Sequence, residues 1–328
     1  MTSSTRPDSA SPPATDAWPR IAVFGAGAVG CFHGLRFAQA CAPVVLIGRP
    51  THVDAIRAQG LLFESEGRQQ SVPMDARSDV DAVADADLIL LCVKTRDTAE
   101  AARTLGARMK PGATVVSLQN GVENVALLRA AGLDPLAAVV YVAVSMPGPG
   151  HLRHAGRGDL VLGEFGPAPS GAVRTPKRAE RIAALFERAG VPCPVSADVR
   201  VDLWEKLVIN CAMNPVSALG RSRYGPMIDD APTRALLHAV VAECVEVARA
   251  DGVTLPTADT LHAAVLRLGE AMREASSSTA QDLRAGRPTE IDALNGYVAR
   301  RAQALGVAAP VNRALHTLVK LRELGPTA

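Results

Sequence analysis

Three polar residues spaced four apart, Lys206, Asn210 and Asn214, interrupt the apolar stretch LWEKLVINCAMNP at 203–215. At 100° per residue they drift only modestly around a helix and share a face, while Leu203, Leu207, Val208, Cys211 and Ala212 cover much of the rest. A desolvated lysine has a lowered pKa and can give up a proton near neutral pH. Two amides beside it donate and accept hydrogen bonds without adding charge. Such a row suits a polar substrate carrying a carbonyl, with the ammonium on the oxygen and the amides on neighbouring hydroxyls. It equally fits a helix whose lysine reaches solvent and whose asparagines bridge to other helices. Residue choice adds to the case: of 35 basic residues only positions 94, 110, 177, 206 and 320 are lysine. Where a generic positive charge would do, this chain uses arginine, so a lysine in an apolar run is a choice of a group whose pKa burial can move.

A second constellation lies near the N-terminus. RIAVF (20–24) is followed by Gly25-Ala26-Gly27-Ala28-Val29-Gly30 and then by a helical pattern. Glycines spaced G-x-G-x-x-G between a strand and a helix allow a tight turn, close approach of a diphosphate and close packing of helix on strand. The phosphates would sit at the helix N-terminus, where free N–H groups favour anions. The second strand ends Ile47-Gly48-Arg49, without the carboxylate that usually holds a ribose 2′-hydroxyl. A guanidinium there can grip a 2′-phosphate, so the expected cofactor is NADPH/NADP+ with Arg49 as its clamp. Two further strand ends carry Lys94 and Asn120, where a doubly wound sheet lines its ligand crevice.

The elements that must position these groups follow from periodicity. Short apolar runs at 20–24, 43–48, 86–94, 113–120 and 137–144 read as buried parallel strands, and 158–166 as one more. Helical stretches lie between them, notably 97–108 and 122–131. Beyond about 198 the texture becomes helical, over 198–219, 232–251, 257–274, 290–305 and 310–324. The expected class is α/β: an N-terminal Rossmann-type doubly wound sheet over 19–195 and an all-helical C-terminal domain over 196–328, after a Ser/Pro-rich disordered tail at 1–18. With 328 residues the chain is long enough for two cores.

Composition excludes several classes. A net charge of +2 with scattered basic residues gives no nucleic-acid footprint. No apolar run is long enough to span a bilayer, and the first residues lack the apolar core of a signal peptide. Six cysteines without a C-x-x-C pair imply buried thiols in a reducing compartment, hence a cytoplasmic location. His151 and His154 have no third ligand nearby, so no metal is expected.

A final stretch, SSSTAQDLRAGRPTEIDALNG (276–296), combines small hydroxyls, a break at Gly286 and Pro288, and a helix expected to start near Thr289, with Glu290 in its first turn. In order, the chain now shows G-x-G-x-x-G, V-K-T, L-Q-N-G, E-K-L-x-x-N-x-x-x-N-P and S-S-x-x-Q-D-x-x-x-x-R-x-T-E-I-D-x-x-N-G. Together, from about 20 to 320, these resemble the ketopantoate reductase family (2-dehydropantoate 2-reductases).

The resemblance implies NADPH-dependent reduction of 2-dehydropantoate to (R)-pantoate, on the way to pantothenate and coenzyme A. It implies Lys206 as general acid, and Asn210 and Asn214 as substrate amides. Ser278 would contact the substrate carboxylate. Lys94 and Asn120 would lie near the nicotinamide and its ribose, and Glu290 would contact the cofactor and help close the cleft. Some members of the family carry a further substrate-binding asparagine ten residues beyond Asn214, where this chain has Tyr224. Two alternatives stay open: a reductase of another branched 2-keto acid on the same scaffold, and a non-catalytic NADPH-sensing regulator, which would have no need of the Lys206 row. The long C-terminal helices could also form a homodimer face.

Overall fold

The computed structural model describes residues 17–167 and 177–325. Its N-terminal half runs β1 (Ile21–Phe24), α1 (Ala28–Gln39), β2 (Val44–Ile47), α2 (Pro50–Gln59), β3 (Leu61–Ser65), β4 (Arg68–Val72), β5 (Asp75–Arg77), β6 (Leu88–Leu91), α3 (Thr98–Arg108), β7 (Thr114–Ser117), α4 (Asn124–Ala130), β8 (Leu136–Gly148), β9 (His151–Glu164) and α5 (Arg178–Arg188). The nine strands form one sheet in the order β4-β3-β9-β8-β7-β6-β1-β2-β5. Strands β5, β2, β1, β6, β7 and β8 are parallel to their neighbours, whereas β8–β9 and β3–β4 are antiparallel.

The central strands are short and wholly apolar because they are covered on both faces. In β1 and β6 all four residues are buried. Ile21, Val23, Leu88 and Leu90 pack with Leu35, Phe37 and Phe186 on one face. Ala22, Phe24, Ile89 and Leu91 pack with Leu105 and Leu128 on the other. That alternation is the pleat itself, with successive side chains pointing to opposite faces.

The second half is helical: α6 (Val199–Gly220), α7 (Tyr224–Asp229), α8 (Ala231–Ala250), α9 (Ala258–Ala271), α10 (Ser278–Arg284), α11 (Asn295–Leu305) and α12 (Pro310–Glu323). Its core, with Leu207, Val208, Val240, Val247, Val265 and Val298, is continuous with Val122, Val125, Ala137 and Val139 on the edge of the sheet region. No helix among the described residues is long and apolar enough to cross a membrane.

Several expectations need correction. The sheet is mixed rather than wholly parallel, and three strands between β2 and β6 went unread. Two of them, β3 and β4, form a hairpin that turns through Glu66 and Gly67, both at positive φ. The strand expected at 158–166 is the end of a long arm, β9, paired with β8 through three register shifts. The helix expected at 290–305 starts at Asn295, after a single 3₁₀ turn at Ile291–Ala293. Thr289 accepts from Ile291 N, but its hydroxyl donates to Glu323. Trp18, assigned to the tail, packs edge-on against Phe37 with the Arg188 guanidinium 3.8 Å from its ring centre. Residues 1–16 lie outside the described residues. Of the six free cysteines, Cys41 is exposed at the turn after α1, contrary to the expectation of buried thiols. His151 and His154 pin β9 to β3 through Glu64 and Ser65.

Candidate active site

Helix α6 crosses behind β8 and brings Lys206 to the carboxyl ends of the central strands. Lys206 Nζ donates to Asn120 Oδ1 at 2.9 Å and to the carbonyl of Val140. Its ring neighbour is Tyr141, whose centre lies 5.7 Å away. Burial lowers the Lys206 pKa to about 8; the Glu290 carboxylate works against that shift and Arg157 adds to it. The row therefore begins with an ammonium that can give up its proton close to neutral pH.

Asn120 is held in place by buried polar groups that the sequence did not reveal. Gln119 Nε2 donates to the Val93 carbonyl at 3.0 Å and to Thr98 Oγ1 at 2.6 Å. Thr98 donates to Asn124, and Asn124 Nδ2 donates to the Asn120 carbonyl at 2.7 Å. Ser117 closes the network on Gln119. The only sequence signal was an unusual density of amides and hydroxyls at an apolar strand end, since buried polar groups persist where they find partners. Gly121 follows at φ +87°, and a side chain there would come within 3.0 Å of the Ala293 carbonyl. Glycine thus lets the strand-end loop touch the helical region.

From Asn120 a charged chain crosses between the two halves. Asn120 Nδ2 donates to Glu290 Oε2 at 3.4 Å, and Lys94 Nζ lies 3.1 Å from the same oxygen and 3.7 Å from Asp282 Oδ2. Asp282 in turn takes Arg287. Glu290 is only 16% and Asp282 12% exposed, so these ion pairs are partly desolvated. Asp282 was not singled out from the sequence.

The remaining members of the row are open. Asn210 and Asn214 follow Lys206 along α6, and neither side-chain amide has a partner among the described residues; Asn214 is 5% exposed. Ser278 opens α10 and is exposed. Its buried neighbour Ser277 caps α10 by accepting from Ala280 N and donates to the Asn214 carbonyl at 3.0 Å, which docks α10 on α6. Tyr224, at the start of α7, is buried in the helical core, and burial pushes its hydroxyl up to about 12.

The glycine loop has the form an anion site requires. Gly25 lies at φ +116°, and a side chain there would strike the backbone of Cys92 and Val93 at under 3 Å. A side chain at Gly30 would lie 2.2 Å from the Gly25 carbonyl, whereas at Gly27, the residue capping α1, it would meet nothing within 4 Å. That open flank beside the N–H groups of Ala28, Val29 and Gly30, which have no acceptor among the described residues, can accept a diphosphate. Ala26 N bonds to the Ile47 carbonyl and fixes the loop to β2. Arg49 caps α2, is exposed, and makes no hydrogen bond or ion pair through its guanidinium among the described residues. It is thus free to meet a phosphate at the end of β2. The structure brings Lys206, Asn120, Glu290 and Lys94 into one bonded group; Arg49 lies apart from it on the other side of the loop.

Comparison with known proteins agrees with this architecture. The family models described as "Ketopantoate reductase PanE/ApbA" and "Ketopantoate reductase PanE/ApbA C terminal" match residues 21–167 and 198–323. The chain belongs to the ketopantoate reductase family. It is 35% identical to a 2-dehydropantoate 2-reductase of Halobacterium salinarum over 311 residues, 93% of this chain and 99% of that protein. A crystal structure of a PanE/ApbA family ketopantoate reductase from Ralstonia eutropha JMP134 superposes with TM-score 0.84 at 46% identity, covering 93% of this chain and 98% of that one. D-Mandelate dehydrogenase, solved with NADH and anilino(oxo)acetate, gives TM-score 0.85 at 23% identity over 93% of this chain and 98% of that one, a likeness of fold alone.

Proposed function

We propose that this chain is an NADPH-dependent 2-dehydropantoate 2-reductase that forms (R)-pantoate on the path to pantothenate and coenzyme A. The carrying observation is Lys206: a desolvated ammonium, lowered to about 8 and held by Asn120 at a strand end lining the crevice. The names of the relatives support the substrate, and Arg49 in place of a carboxylate supports the 2′-phosphorylated cofactor.

When bound, NADPH supplies the hydride for the carbonyl carbon. Lys206 holds a proton on Nζ and delivers it to the ketone oxygen as negative charge develops there. Asn120 and the Val140 carbonyl fix the direction of that ammonium. Asn210 and Asn214 hold the hydroxyl and carboxylate ends of the substrate, with Ser278 on the carboxylate. The loop Gly25–Gly30 binds the diphosphate, and Arg49 clamps the 2′-phosphate. Lys94, Asn120 and Glu290 hold the nicotinamide ribose and draw the two halves together. The division into a cofactor domain over 19–195 and a helical domain over 196–328, and a cytoplasmic location, belong to the same reading.

The test is oxidation of NADPH with 2-dehydropantoate, beside NADH. Support is a kcat/KM of about 10⁴–10⁸ M⁻¹s⁻¹ with preference for NADPH. A second reading, reduction of a different branched 2-keto acid, is favoured by Tyr224, which is buried in the helical core at the position where the resemblance to some family members implies an asparagine. A panel of 2-keto acids separates the two: a better rate with another member selects the second. Tight NADPH binding without turnover of any member would instead indicate a sensor.

A further inference from the structure

Helix α6 contains Pro215, which has no N–H to give to the carbonyl four residues earlier. That carbonyl belongs to Cys211, a fully buried residue between Asn210 and Asn214. An orphaned buried carbonyl is expensive and is normally paired. Here its partner comes from elsewhere in the chain: Asn295 Nδ2 donates to the Cys211 carbonyl at 3.0 Å. We propose that Asn295 is a positioning residue that stands in for the missing N–H of Pro215 and so fixes the spacing of Asn210 and Asn214 along α6. The proposal rests on the reading of those two amides as substrate ligands.

Three observations support it. Asn295 is fully buried and spends both protons of its amide, the second on Asn312 Oδ1 at 2.9 Å, while its own Oδ1 has no partner among the described residues. The side chain is thus set for donation at the expense of its acceptor. Asn312 is itself tied down: its Nδ2 donates to Glu243 at 2.8 Å, and Glu243 also receives the backbone N–H groups of Val311 and Asn312. The donor therefore has a rigid mount joining α8, α11 and α12. Immediately before the proline, Ser277 holds the Asn214 carbonyl, so the segment between Cys211 and Asn214 is clamped at both ends.

The test pairs Asn295→Ala with Pro215→Ala, which restores a backbone N–H to the same carbonyl. Asn295→Ala is expected to raise KM for 2-dehydropantoate by about tenfold, the effect of one unpaired buried carbonyl. NADPH affinity, read by quenching of protein fluorescence, should stay within about twofold because the loop at 25–30 is untouched. In the double variant KM should return most of the way to the parent value. An unchanged KM in Asn295→Ala, or a rise that Pro215→Ala does not reverse, overturns the proposal. Hydrogen–deuterium exchange of peptides across 206–218 gives a readout that needs no turnover: faster exchange in Asn295→Ala, reversed in the double variant, supports the clamp, and unchanged exchange overturns it. If the parent turns over no 2-keto acid, the proposed function falls and the exchange result alone decides. If Asn295→Ala does not fold, the double variant should; its failure to fold also overturns the proposal.

Discussion

Lys206 Nζ lies 2.9 Å from Asn120 Oδ1, across 86 positions of sequence, and this contact joins helix α6 to the end of β7. One side of it is an ammonium made acidic by burial; the other is an amide whose own nitrogen reaches Glu290. The Lys206 ammonium is therefore oriented by the half of the molecule that carries the glycine loop.

The first prediction concerns that proton. Lys206 is charged below about 8 and neutral above it. As the acid for ketone reduction it must be charged, so kcat/KM should be level at lower pH and fall through about 8. Lys206→Ala should lose about 10²–10⁴-fold in kcat. A variant keeping most of its kcat, or a parent profile without the alkaline fall, would remove Lys206 from the acid role.

Asn120→Asp makes the orienting group a carboxylate. A negative charge beside the ammonium favours its protonated form and raises the pKa. The alkaline limb should move to higher pH. Weaker cofactor binding should accompany it, because the new carboxylate faces Glu290 and repels it. A limb that stays in place would mean Asn120 does not sense the lysine in solution.

The same burial has a stability consequence. The folded pKa of Lys206 is about 8 against an ordinary 10.5, so between those values the unfolded chain binds more protons and this residue's contribution rises with pH. Below about 8 the buried charge costs stability. Lys206→Met should therefore be inactive yet more stable at neutral pH by about 1–2 kcal/mol, after allowing for the hydrogen bond it loses to Asn120. The gain should shrink as pH approaches 10.5. Thermal unfolding at neutral and alkaline pH checks this; a destabilised Lys206→Met at neutral pH would refute it.

How far the sequence showed all this depends on what kind of signal each residue leaves. Lys206, Asn210 and Asn214 were visible because polar residues in an apolar helical run break a periodic pattern. The glycines were visible because their spacing between strand and helix has a mechanical reason. Glu290 and Ser278 rested mostly on the family resemblance, since on their own they read equally well as capping and turn residues. Asp282, Thr98, Gln119 and Asn124 were missed because their roles depend on partners far away in sequence, which periodicity does not report. The hairpin at 61–72 was missed because Leu61 is the only buried residue of β3, and β4, on the sheet edge, is exposed along most of its length and offers no apolar run. The start of α11 was misplaced because Thr289 looks like a cap but spends its hydroxyl on Glu323.

Two glycines of the loop, Gly27 and Gly30, should separate binding from folding. Gly27→Ala adds a methyl into open space, so the protein should keep its melting temperature while NADPH binds about tenfold or more weakly, because the methyl occupies the path of the diphosphate. Gly30→Ala drives a methyl to 2.2 Å from the Gly25 carbonyl, a clash with backbone that cannot swing away. It should lose about 1–3 kcal/mol of stability, as overpacked sites do. Calorimetry with NADPH titration checks both, and a Gly27→Ala protein that binds normally would place the diphosphate elsewhere.

Arg49 tests cofactor choice apart from chemistry. Its guanidinium is exposed, unpaired among the described residues, and set at the end of β2 by the N-terminal turn of α2. A bidentate contact to a phosphate dianion is worth more than a hydrogen bond to a ribose hydroxyl. Arg49→Ala should therefore weaken NADPH by about tenfold or more and leave NADH nearly unchanged. Arg49→Asp should go further and favour NADH, since a carboxylate repels the phosphate and accepts from the hydroxyl. Lys206 is untouched in both, so kcat at saturating cofactor should stay near the parent value. Measured KM values for the two cofactors decide the matter: equal losses for NADPH and NADH would move the 2′-phosphate clamp to another residue.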